Sequence, residues 1–109
     1  MSLIAKTPAP PYYAVIFTST LAKEVDGYDE MADKMLQLAA LQAGFLGFES
    51  ARENTGITIS YWRDLESIQN WKNNPEHLSA QQLGRKKWYA SFKVRISKVE
   101  RDYDQLPTH

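Results

Sequence analysis

The sequence predicts an α+β fold of the ferredoxin-like, split βαβ kind, with element order β-α-β-β-α-β and a four-stranded antiparallel sheet carrying its helices on one face. Three observations predict it. A breaker-free run of β-branched and aromatic residues stands at Tyr12 to Thr20, an amphipathic repeat follows over 27–42, and a glycine-turned hairpin over 45–63 passes straight into a helix start at Asp64.

Each element has a local reason. Both faces of Tyr12 to Thr20 carry bulk, Tyr13, Val15 and Phe17 on one and Tyr12, Ala14 and Ile16 on the other, so this strand wants cover on both sides. From Gly27 to Gln42, Tyr28, Met31, Ala32, Met35, Leu38 and Ala39 recur at three- and four-residue spacing, with Asp26 as the N-cap and Gly44 as a left-handed residue closing the helix end. Phe45 to Glu53 and Ile57 to Arg63 form a hairpin through Asn54-Thr55-Gly56. Within it Ile57, Ile59 and Tyr61 share one face, and Thr58, Ser60 and Trp62 the other.

Asp64 caps a short helix with Leu65, Ile68 and Trp71 near one another on its surface. Asn73-Asn74-Pro75 breaks that helix and starts another, Asn74 as N-cap and Pro75 in the first helical position. This last helix carries His77, Gln81, Arg85 and Trp88 on one side. Phe92, Val94 and Ile96 alternate with Lys93, Arg95 and Ser97 in a final strand; Val99 breaks the parity, which predicts a bulge or strand end near Lys98. Residues 1–11 read as a flexible, proline-broken N-terminal arm, 12–103 as the folded domain and 104–109 as a C-terminal tail.

The chain of 109 residues is one domain, large enough to bury roughly two-thirds of the surface its unfolded form exposes. It has no cysteine, which excludes disulfides, thiolate metal sites and cysteine nucleophiles and fits a reducing cytoplasm. Thirteen basic and thirteen acidic residues cancel, an argument against a nucleic acid as partner; Arg85-Lys86-Lys87 reads as a solvated helix end. No segment is apolar enough over sufficient length to span a bilayer, and the first residues lack the order of a secretory signal, so a cytoplasmic protein with no membrane partner is expected. The sheet face away from the helices is left bare and apolar, so two chains are expected to pack sheet against sheet as a homodimer.

Gly44 to Trp71 is the most informative stretch for chemistry. Trp62 and Trp71 bracket the strand-to-helix turn and either line a slot for a flat ligand or fill the core. His77, an imidazole that titrates near neutrality, has the chemistry to take a proton from a phenol, and Arg85 to hold the phenolate; the alternative for His77 is a residue facing solvent or a backbone carbonyl. No HxH, HxxxH or HExxH spacing occurs, and the second histidine, His109, ends the chain, so no metal is expected. Neither GxGxxG nor GxxxxGK is present, so no nucleotide cofactor is expected.

Three segments carry a family resemblance: Ala43-Gly44-Phe45-Leu46-Gly47-Phe48, Ser60-Tyr61-Trp62-Arg63-Asp64, and Trp71 followed by Asn74-Pro75-Glu76-His77. Through them the chain resembles the antibiotic biosynthesis monooxygenase domain family of the dimeric α+β barrel superfamily, over about Tyr12 to Glu100. The resemblance implies the dimeric barrel, and several activities. The cofactor-independent oxygenases of the family oxidise polycyclic phenols to quinones with a strand-end tryptophan, matched by Trp62, and with an asparagine, a tyrosine and an arginine that fall on Thr58, Ile68 and Gln81. The haem-degrading branch uses an axial histidine ten residues after the helix tryptophan; after Trp71 that place holds Gln81, and Tyr12 to Thr20 holds no asparagine.

The expectation is a cofactor-free monooxygenase or oxidase of a hydroxy-aromatic or quinol, with His77, Arg85 and Trp62 as catalytic residues and Trp62, Trp71, Gln81 and Thr58 against the substrate. A dimeric module that binds a small apolar or aromatic ligand without catalysis stays open beside it. Haem binding is a third and disfavoured reading.

Overall fold

A computed structural model describes residues 3–105 of the chain. The elements are β1 (Tyr12–Leu21), α1 (Tyr28–Ala40), β2 (Phe45–Arg52), β3 (Gly56–Trp62), α2 (Leu65–Lys72), α3 (Pro75–Leu83), a π-helical turn (Gly84–Trp88) and β4 (Tyr89–Val99). All pairings are antiparallel, in the order β2-β3-β1-β4, which is the ferredoxin-like arrangement expected. Among the described residues no helix is long and apolar enough to cross a membrane.

Register assigns each side chain to a face. Tyr13 of β1 lies opposite Trp62 of β3, and Trp62 packs with Ala39 of α1 and Ile68 of α2, so this is the helix-covered face. Tyr13, Val15, Phe45 and Trp71 surround that core. Val15 is paired with Ile96, Phe17 with Val94 and Ser19 with Phe92, which puts the β4 stripe on the same face as Trp62. Phe92, Val94 and Ile96 nevertheless stay 43%, 47% and 53% exposed. They therefore lie on the face away from the expected partner.

The opposite face carries Tyr12, Ala14, Ile59 and Tyr61, and it is not bare. The amide of Ala5 donates to Glu49 Oε2 (2.9 Å), and Tyr61 donates its hydroxyl to Glu49 Oε1 (2.6 Å), so one carboxylate joins the N-terminal segment to the sheet. Thr7 donates to the hydroxyl of Tyr12, which donates to Asp102. Burial and the carboxylate bond push the Tyr61 phenol well above its ordinary range, so it stays a donor at neutral pH.

Two local expectations need correction. Asp26 does not cap α1: Gly27 holds the N-cap place at φ +84° with no side-chain cap, and the Asp26 carbonyl accepts the indole N–H of Trp88 (3.1 Å). The turn needs a left-handed residue, which glycine supplies, and that moves the helix start by one. Gly44 is left-handed as expected (φ +86°), but α1 already ends at Ala40 with Leu41 as its C-cap, so Gly44 serves the turn into β2. A Cβ there would come within 2.5 Å of the Ser67 Cβ. β4 ends at Val99, one residue past Lys98, which is the strand end that the broken parity predicts; a register slip between Thr20 and Leu21 marks a bulge at its other end. In α2, Ile68 and Trp71 form the packed face, and Leu65 is 54% exposed.

The remaining caps follow the sequence. Asp64 accepts the amide of Ser67 (2.7 Å), and Asn74 accepts those of Glu76 (3.0 Å) and His77 (3.2 Å) with Pro75 in the first turn.

Candidate functional site

Residue by residue, the site grows out of the α2–α3 corner. Trp62, at the end of β3, is completely buried, donates its indole N–H to Ser60 (2.8 Å) and stacks on Trp71 with ring centroids 6.3 Å apart. The Trp71 indole in turn stacks on the His77 imidazole, 4.1 Å between centroids and 11° between planes. Phe45 meets Trp62 edge-on at 5.4 Å. The two tryptophans thus fill the core, and the free surface of the stack is the outer part of Trp71 and His77.

His77, in the first turn of α3, is held by hydrogen bonding. Its Nδ1 lies 3.0 Å from the Trp71 carbonyl oxygen, which can only accept, so Nδ1 carries the proton and Nε2 keeps its lone pair. Burial lowers the imidazole below its ordinary value, the Trp71 carbonyl bond opposing the shift. His77 is therefore neutral at pH 7, with a basic nitrogen. Gln81, one turn on, brings its amide nitrogen to 3.4 Å from Nε2 and 3.5 Å from Nδ1, too long for strong bonds.

Arg85 lies apart from this cluster. α3 gives way to the π-helical turn at Gly84, because Trp88 is buried with its indole on Asp26 and the Tyr89 ring presses so closely on Gly84 that a Cβ would meet it at 2.6 Å. The four residues expected on one helical face are thereby divided between two kinds of helix. The Arg85 guanidinium stands over the Phe92 ring at 5.9 Å. Eight residues of helix separate His77 from Arg85, ~12 Å along the axis. Thr58 is half-buried on the same sheet face, opposite Phe17.

From the Trp62–Tyr13 pair towards Arg85 the same sheet face carries an open apolar shelf: Ile96, Val94 and Phe92 in line along β4, beside Val15 and Phe17 of β1. Two further concavities lie elsewhere. One, about 320 Å³, is a groove between α1 and α3 lined by Met31, Met35, Ala80 and Leu83 and spanned by Lys34 and Glu76 at 3.8 Å. The other, about 390 Å³, lies under the N-terminal segment beside Tyr12, Glu49, Tyr61 and Asp102. Among the described residues no group of three acidic or histidine side chains is placed to hold a metal; His109 lies outside them.

Sequence reading missed Arg52. At the end of β2 its guanidinium crosses Gly56, donates to the buried Ser19 hydroxyl (2.6 Å) and lies over the Tyr28 ring at 5.8 Å. The signal was present in Gly56 opening a strand opposite an arginine, where no side chain obstructs the crossing.

The fold and this corner define a small ferredoxin-like domain with an aromatic–histidine stack beside an apolar sheet surface. A family model, Antibiotic biosynthesis monooxygenase, matches residues 11–83, and the chain belongs to that family. It is 50% identical over 103 residues to YqjZ of Bacillus subtilis (strain 168), a protein described as uncharacterized, across 93% of this chain and 90% of that one. In fold it is similar to SnoaB, a cofactor-independent oxygenase from Streptomyces nogalater, with TM-score 0.67 and 16% identity over 90% of this chain and 99% of that chain. PA3566 from Pseudomonas aeruginosa gives TM-score 0.70 at 17% identity, over 88% and 99%.

Proposed function

We propose that this protein is a cofactor-independent monooxygenase or oxidase of a hydroxy-aromatic or quinol. The observation that carries the reading is the fixed, neutral His77, with Nδ1–H on the Trp71 carbonyl and Nε2 basic. Nε2 takes the hydroxyl proton, and the electron-rich phenolate is then oxidised by O₂ directly. A hydroquinone and O₂ give quinone and hydrogen peroxide; a phenol and O₂ give quinone and water, one oxygen atom entering the ring. Gln81 supplies an amide donor beside the reacting oxygen, Trp71 bounds the ring, and Trp62 supports Trp71 from beneath. Thr58 lines the inner side of the same face. Arg85, at the far end of the shelf, binds rather than reacts. The membership in a monooxygenase family and the likeness to SnoaB support the class of reaction. Oxygen uptake on a panel of hydroquinones and polycyclic phenols is the test.

A second reading has its own observation. Trp62 has no exposed surface and Trp71 is stacked on it, so the slot suggested by the tryptophans is filled. That favours a module that binds a flat ligand on the shelf without turning it over. Haem degradation fits less well, since Gln81 stands where the resemblance puts the axial histidine and an amide is a poor iron ligand beside an imidazole. The homodimer belongs to the same proposal: Ile57, 42% exposed, extends an apolar row with Ile59 and Tyr61 on the face away from the helices. A partner there covers roughly 800 Å² per chain.

A further inference from the structure

We infer that the end of the shelf remote from His77 is a carboxylate site, formed by Arg52 and Arg85, so that the ligand is a multi-ring hydroxy-aromatic acid. This rests on the reading of the shelf as an aromatic site and adds the ligand's second functional group and its placement.

The two arginines come from distant parts of the chain and converge on one cross-strand pair. Ser19 of β1 is directly opposite Phe92 of β4; Arg52 donates to Ser19, and Arg85 lies over Phe92. Neither guanidinium has a carboxylate within 4.0 Å among the described residues, where the ion pairs are Lys34 with Glu76 and Arg63 with Asp64. Arg52 is exposed, yet its guanidinium is anchored at one end. Its partner Ser19 is 2% exposed, it lies against Tyr28, and Gly56 is the residue that leaves it room. An arginine spending one donor on a buried hydroxyl keeps the rest of its planar fork free for an anion.

The wall between the arginines is aromatic. Phe17 meets Tyr89 edge-on at 5.2 Å and Phe92 at 5.8 Å, and Tyr28 meets Tyr89 at 5.7 Å. Burial and a hydrogen bond with Tyr28 push the Tyr89 phenol upward, so the wall adds a protonated hydroxyl and no negative charge. Two cations around an aromatic wall at the end of an apolar strip suit a flat apolar body ending in an anion. The spacing of ~12 Å from His77 to Arg85 places the hydroxyl and the carboxylate at opposite ends of two or more fused rings.

The experiment is calorimetric titration of the full-length protein, under nitrogen, with 6-hydroxy-2-naphthoate and with its neutral carboxamide. The acid is expected to bind roughly 10- to 100-fold more tightly than the amide, as one to two charge-assisted hydrogen bonds imply. Arg85→Gln and Arg52→Gln should each erode that preference while leaving amide affinity close to the original, and Lys86→Gln should leave it intact. Far-ultraviolet circular dichroism checks that each variant is folded; the acid-to-amide ratio in the unaltered protein does not depend on any variant. Equal binding of acid and amide overturns the inference, and so does a preference that survives both arginine substitutions. Because no turnover is measured, failure here is distinct from failure of the oxidase reading, which oxygen uptake on uncharged quinols tests.

Discussion

The Trp71 indole and the His77 imidazole lie parallel at 4.1 Å, and the Trp71 carbonyl also fixes the His77 tautomer at 3.0 Å. One residue thereby sets the plane, the position and the protonation state of the only histidine among the described residues. The arrangement depends on the Asn74-Pro75 break, which turns the chain back after α2 so that the third residue of α3 returns over the last turn of the preceding helix.

A first consequence concerns pH and stability. Burial lowers the folded-state value of His77 below 6.5, so between that value and 6.5 the unfolded chain binds the proton more readily than the folded one. The His77 contribution is complete above pH 6.5 and is lost as pH falls through the folded value. Denaturant midpoints measured from pH 5 to 7.5 should fall on the acid side for the native chain, and the fall should be shallower in His77→Gln. Parallel curves for the two proteins would show that His77 is not protected from protonation.

Core and site separate at the two tryptophans. Trp62 is fully buried, and Trp62→Ala should cost about 3–5 kcal/mol of folding stability. Trp71→Ala removes a partly exposed ring and should cost less stability, while it takes away the surface against which His77 is aligned. Thermal unfolding and oxygen-uptake rates on both variants give the comparison. A larger stability loss at Trp71 than at Trp62 would contradict the packing described.

Assembly is testable directly. A homodimer should show twice the chain mass by light scattering at micromolar concentration, and replacing Ile57, exposed on the face away from the helices, with lysine should weaken it. A monomer mass for the native chain would sink the sheet-to-sheet arrangement.

Much of this fold was legible because local signals agreed. The β-branched run of β1, the Asp64 and Asn74 caps and the glycine turn of the hairpin each named their element, and the pairing order followed from their sequence. What escaped depended on tertiary contact. No periodicity signals that the Tyr89 ring and the Trp88 indole convert the end of α3 into a π-helical turn, and that conversion is why the spacing of His77, Gln81 and Arg85 suggested one cluster where the structure shows two ends. Trp62 and Trp71 do lie together, but burial, which decides between filling a core and lining a slot, is a property of the packed chain.

The central claim is that His77 is the base of a cofactor-free oxidation. Its most direct test is oxygen consumption by the purified, metal-free protein on hydroquinones and polycyclic phenols, native chain against His77→Ala. The account predicts uptake that declines on the acid side with an apparent pKa below 6.5 and drops roughly 10²- to 10⁴-fold when the imidazole is removed. Equal, low uptake by both proteins across the panel would contradict it and leave the shelf as a binding surface.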